Sequence, residues 1–65
     1  MTKIDPQLRH DFINNSLRLE VLSKLISEDL NKNETPNSTH INDMEDFLKK
    51  ELNLLIEIKN QIHRN

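Results

Sequence analysis

Apolar residues recur along the first half of the chain as Leu8, Phe12, Leu19, Leu22, Ile26 and Leu30. Their steps of three, four or seven fall on one side of a 3.6-residue period, which predicts an amphipathic helix. Asn15 occupies the gap in that stripe. A second, narrower stripe of Ile13, Leu17, Val21 and Leu25 runs beside it, and Arg9, Ser16, Glu20, Ser23 and Ser27 fill the polar face between them. The second half carries a broad apolar arc, Ile41, Met44, Phe47, Leu48, Leu52, Leu54, Leu55, Ile58 and Ile62, set against Asn42, Asp46, Lys49, Asn53, Glu57 and Asn60.

The punctuation between these segments supports the same elements. Asp5 before Pro6 is a helix start: the carboxylate accepts from orphan amides, and proline at the first helical position loses no hydrogen bond. Ile4, ahead of that cap, is placed to act as a hydrophobic staple. Asn31 to Ser38 has no apolar side chain and contains Pro36, so it reads as the turn, with Asn31 or Asn33 replacing glycine at the end of the first helix. Ser38 or Thr39 is expected to cap the second. The pattern predicts an all-α fold in one domain covering residues 1–65: a helix over about 6–31, a loop over about 32–38 and a helix over about 39–64. Helices of about 25 residues run roughly 37 Å. A short loop makes them antiparallel and is expected to pair Leu8 with Ile62, Phe12 with Ile58, Leu22 with Leu48 and Ile26 with Met44.

Two apolar surfaces on one helix need two neighbours, and a lone hairpin leaves half of each apolar face in water. The chain is therefore expected to form a homodimer, two hairpins associating in parallel as a four-helix bundle. Asn15 in the apolar seam is expected to fix register and oligomeric state. On that reading Asn15→Leu stabilises the bundle while loosening its preference for one assembly.

Composition removes several function classes. The chain has no glycine, which excludes phosphate-cradling loops and dinucleotide fingerprints, and no cysteine, which excludes disulfides and thiolate zinc sites. No cofactor is expected. Lys and Arg number 9 against 11 Asp and Glu, interspersed, for a net charge of −2, so nucleic acid is not an expected partner. No apolar run is long enough to span a bilayer and no signal-peptide pattern is present, so neither a membrane partner nor secretion is expected, and the cytoplasm is the default location. The glycosylation-type triplets starting at Asn14, Asn33 and Asn37 are cheap in an asparagine-rich chain and carry no weight.

The candidate chemistry lies between Leu8 and Leu17, which read L-R-H-D-F-I-N-N-S-L. This segment resembles the H-box of two-component histidine kinases and their phosphotransferase relatives. The L-R-H-D-aromatic-x-N form is most similar to the sporulation-type branch. Two features depart from the commonest H-box: no proline follows the histidine, a departure that the sporulation-type branch shares, and Asn15 stands where an apolar residue is usual. The resemblance implies a dimeric helical hairpin whose His10 is phosphorylated, with Asp11 as the adjacent acid and Asn14 as the amide one turn later.

The residue types suit that chemistry independently. A neutral imidazole attacks phosphorus directly, and histidine is nucleophilic near pH 7 because its unperturbed pKa is ~6.5. Asp11 is expected to accept the other ring N–H, and Asn14, beside His10 on the helix, to hold a phosphoryl oxygen or a water. The resemblance implies a receiver domain of a response regulator, a sensor kinase, or both as partners. Histidine kinases phosphorylate themselves through a separate ATP-binding domain, which 65 glycine-free residues do not supply. The chain therefore reads as a free-standing phosphotransfer protein, a domain of a larger kinase, or a dimeric decoy. The competing reading is a non-enzymatic hairpin that regulates a helical partner through its apolar surfaces. An antiparallel hairpin also returns His63 to the end that holds His10, but no spacing typical of zinc ligands is present and no metal is expected.

Overall fold

The computed structural model of the chain describes residues 3–63 and consists of two helices, α1 (Pro6–Asn31) and α2 (Ser38–His63), with no strand among the described residues. Each has 26 residues, and the Cα trace measures 49 × 15 × 15 Å, a rod two helices thick. The predicted all-α hairpin is the observed fold.

The helix ends show why the chain turns where it does. Asp5 caps α1: its Oδ1 accepts from Gln7 N at 3.0 Å, and Pro6 follows in the first turn. At the other end Glu34 N donates to Asp29 O at 2.9 Å and Asn33 N to Leu30 O at 3.1 Å. These are the paired bonds of a Schellman motif, which requires a left-handed residue where the chain leaves the helix. Asn33 supplies it with φ 57°. Asparagine tolerates that region better than other residues with a Cβ, which is how a glycine-free chain makes this turn.

The cap of α2 differs from expectation by one residue. Asn37 Oδ1 accepts from Thr39 N at 2.8 Å and from His40 N at 3.4 Å, and Ile41 N donates to Asn37 O. Asn37 is thus the N-cap, Ser38 is already helical, and neither Ser38 nor Thr39 caps. Asparagine is at least as good a cap as serine, and Pro36 immediately before it discourages helix from starting earlier. The predicted end of this helix at residue 64 lies outside the described residues.

Burial identifies the seam. The covered positions on α1 include the series Leu8, Phe12, Asn15, Leu19, Leu22 and Ile26, with Asp11, Ser16 and Asp29 partly covered beside it; on α2 they are His40, Met44, Phe47, Glu51, Leu54, Ile58 and Gln61. Both series alternate steps of four and three, the spacing of a left-handed coiled-coil seam. Cross-helix hydrogen bonds set direction and register. Asp5 N donates to Gln61 Oε1 at 2.9 Å, and Asn15 Nδ2 donates to the Phe47 carbonyl at 2.9 Å and to Glu51 Oε1 at 3.1 Å. The helices are therefore antiparallel, but the register is one turn away from the expected one. Leu8 lies level with Ile58 rather than Ile62, and Leu22 level with Met44 rather than Leu48. Likewise Phe12 lies level with Leu54 and Ile26 with His40. Leu48 and Ile62 are each 50% exposed. The register follows the polar residues: it brings Asn15 to Glu51 and Asp5 to Gln61, bonds that the fully apolar pairing would forfeit.

Asn15 is the most buried of the described polar residues, at 2% exposure. Ser16 Oγ donates to Glu51 Oε2 at 2.7 Å, so the glutamate carboxylate is held by both neighbours. Asn15 Oδ1 is buried without a partner. Because the Asn15 amide N–H groups are both engaged within the chain, Asn15→Leu alone is expected to destabilise the hairpin, not to stabilise it. The half-buried Glu51 loses a donor, a loss of ~1–2 kcal/mol. The double variant Asn15→Leu/Glu51→Leu is expected to melt above the wild type, because it replaces a polar layer that has one unpartnered buried acceptor with apolar packing. A change of ~1 kcal/mol moves Tm by roughly 4–8 °C in a domain this small, so thermal melts at one protein concentration resolve both. At the turn, Asn37→Ala is expected to cost about 1 kcal/mol and Ser38→Ala close to nothing.

Candidate functional site

His10 lies in the second turn of α1 with its side chain exposed. Its position follows from the helix start: with Pro6 as the first helical residue and the seam at Leu8 and Phe12, residue 10 projects away from α2. The imidazole is open to another protein. Asn14, one turn on and also exposed, places its amide nitrogen 2.8 Å from His10 Nε2. When that amide donates, Nε2 carries the lone pair and the ring proton sits on Nδ1. The i, i+4 spacing thus holds the nitrogen nearer the ring tip in its nucleophilic form.

Asp11 is not part of this pair. It follows His10 directly, so its side chain points a quarter-turn away, and Gln7 Nε2 donates to its Oδ1 at 2.9 Å. Among the described residues no hydrogen bond joins Asp11 to His10. The tautomer-setting role that sequence assigns to Asp11 is filled in this conformation by Asn14. Of the three candidate residues, the structure brings His10 and Asn14 together and turns Asp11 back along the helix. Gln7 was not singled out from sequence, although its place four residues before Asp11 is the signal that could have found it.

A shallow groove opens beside Asn14 on the same side of the hairpin. Its lining includes Asn14, Leu17, Arg18, Val21 and the seam residue Leu22 from α1, with Asp43 and Phe47 from α2. The Arg18 guanidinium carbon lies 5.7 Å from the Phe47 ring centroid, a cation–π distance. Asn14 therefore links His10 to a largely apolar groove whose lining also includes the Arg18 guanidinium and the Asp43 carboxylate. No cluster of three potential metal ligands exists among the described residues, and no described helix is long and apolar enough to cross a membrane.

His40 and His63 stand apart from this site. His40 packs at the turn end of the seam, half-buried, with Nδ1 enclosed and unpartnered. His63 ends α2. Comparison with protein-family models, with curated proteins and with solved structures finds no match to this chain. Fold and site define a class at the level of architecture: an all-α helical hairpin with one exposed histidine–asparagine pair near the start of its first helix.

The hydrogen bond between Asn14 and His10 has a direct readout. Nitrogen-15 NMR of the imidazole is expected to show the Nδ1–H tautomer in the wild type. In Asn14→Ala the ring is expected to shift toward Nε2–H, with Tm unchanged because both residues are exposed.

Proposed function

We propose that this chain is a histidine phosphotransfer hairpin of the two-component type, in which His10 passes a phosphoryl group to or from the aspartate of a response-regulator receiver domain in the cytoplasm. The observation that carries this reading is the exposed His10 imidazole whose Nε2 is held by Asn14 at 2.8 Å. In the forward step Nε2 attacks the phosphorus of a receiver aspartyl phosphate. The N–P bond forms as the P–O bond to the carboxylate breaks, and the aspartate leaves as a free carboxylate. The reverse step transfers the group back. Asn14 must release Nε2 for attack, and its amide is then placed to donate to a phosphoryl oxygen. Asp11, held by Gln7, stands a quarter-turn from the ring, and its carboxylate adds a more distant negative charge that favours the positive charge building on the imidazole as the N–P bond forms. The start of α1 lies within two turns, so its dipole adds a small favourable field for the phosphoryl group.

A second reading draws on a different observation. Leu17, Val21, Leu48, Leu52 and Leu55 are all about half exposed or more, which suits a non-enzymatic hairpin that binds a kinase, a regulator or another helical partner. The two readings separate in one experiment. The chain is incubated with a phosphorylated receiver domain and probed for acid-labile, base-stable phosphate. On the phosphotransfer reading the label appears on wild type and is abolished by His10→Gln, whose Tm is expected to match wild type because the ring is exposed. Asp11→Asn is expected to slow transfer by about 10². Unlabelled wild type that still binds the receiver would select the binding module.

A further inference from the structure

The outer face of α2 carries a second heptad series that the hairpin does not use. Ile41, Glu45, Leu48, Leu52, Leu55, Lys59 and Ile62 follow steps of four and three, roughly a quarter-turn round from the α2 seam that packs on α1. All seven are exposed, with Leu52 at 59% and Ile62 at 50%. The α1 stripe of Ile13, Leu17 and Val21 lies roughly half a turn from its own seam, so it does not join this surface. The side of α1 that holds Ser16 carries the small Ser23 and Ser27 together with the longer Arg9 and Glu20, and it has no apolar side chain to compete for the α2 stripe.

The order of this series is self-complementary. Reversed about Leu52, Ile41 meets Ile62, Glu45 meets Lys59, Leu48 meets Leu55, and Leu52 meets itself, each within one residue of the same height. Among the described residues no hydrogen bond or ion pair engages Glu45 or Lys59 within the chain. A parallel pairing would instead set Glu45 against Glu45 and Lys59 against Lys59, like charges at an apolar interface.

We infer that the α2 stripe binds a second copy of this chain, with the two α2 helices antiparallel about a twofold axis through Leu52. The pairing buries Leu48, Leu52 and Leu55 at its centre and closes an ion pair between Glu45 and Lys59 of opposite chains at each side. The stripe spans roughly 32 Å, long enough for a continuous helix-pair interface. This arrangement is an alternative to the parallel association expected from sequence, and the two differ in which residues they bring together. It does not depend on phosphotransfer, because His10 lies on the other helix, away from the stripe.

Engineered cysteines test the geometry in the intact protein, since the chain has none of its own. Under mild oxidation Leu52→Cys is expected to form a self-disulfide. A mixture of Ile41→Cys and Ile62→Cys chains is expected to cross-link to each other, and neither to itself. Ile41→Cys cross-linking to itself would overturn the antiparallel arrangement in favour of a parallel one. Sedimentation equilibrium provides the energetic test. Glu45→Lys is expected to weaken the dimer at least tenfold, and Glu45→Lys/Lys59→Glu to restore it. A wild-type chain that remains monomeric at hundreds of micromolar, or a Glu45→Lys dimer as tight as wild type, would overturn the proposal.

Discussion

The buried polar layer of Asn15, Ser16 and Glu51 is the constraint on which the rest of this hairpin depends. Two apolar heptad seams of similar pitch slide past one another with little change in hydrophobic burial, so leucines and isoleucines alone do not select a register. A buried amide does, because in any other register its N–H groups face hydrocarbon. Asn15 satisfies its donors only opposite Phe47 and Glu51, and Glu51 binds both Asn15 and Ser16 from that level only. The register so chosen also brings Asp5 N to Gln61 Oε1, closing the open end of the hairpin. One orphaned acceptor, Asn15 Oδ1, accompanies that choice. Register selection is the one gain from this layer that the alternative apolar packing lacks.

That layer also explains which parts of the fold were legible in the sequence. The helix over 6–31 was readable because its two boundaries are written in local chemistry: Asp5 and Pro6 at one end, and an asparagine able to adopt positive φ at the other. The seam on α1 was readable as well, since Leu8, Phe12, Leu19, Leu22 and Ile26 leave a single consistent side. On α2 the apolar arc is too broad to name its own seam. A rule that pairs apolar with apolar chooses Leu48 and Ile62, whereas the structure buries Glu51 and Gln61 more than either. Polar residues at seam positions are invisible to hydrophobic periodicity, and they shift the pairing by one turn.

The candidate site divides in the same way. Spacing of four residues makes His10 and Asn14 neighbours on any helix, and they are found 2.8 Å apart. Adjacency in sequence carries no such guarantee, because successive residues on a helix diverge by about 100°. Asp11 therefore meets Gln7, its own neighbour four residues back, rather than His10. The groove that Arg18 and Phe47 form beside Asn14 depends on register and could not be placed before the register was known.

Under the two proposals, the faces of the hairpin have separate tasks. The α1 face that holds His10 and Asn14 has an irregular mixture of polar and apolar side chains, with Arg18 and Asp43 framing an open groove. Such a surface suits a partner that docks and leaves, since mixed polarity limits the free energy of a persistent complex. The α2 stripe is regular, apolar except for Glu45 and Lys59, and self-complementary in charge, which suits a lasting interface between like chains. Because the α2 stripe shares no residue with the groove or with the His10–Asn14 pair, occupation of the stripe leaves the imidazole uncovered. A second copy on α2 and a visiting partner on α1 can then be bound at once, with the Asn15–Glu51 layer holding the two helices in the alignment that keeps those faces apart.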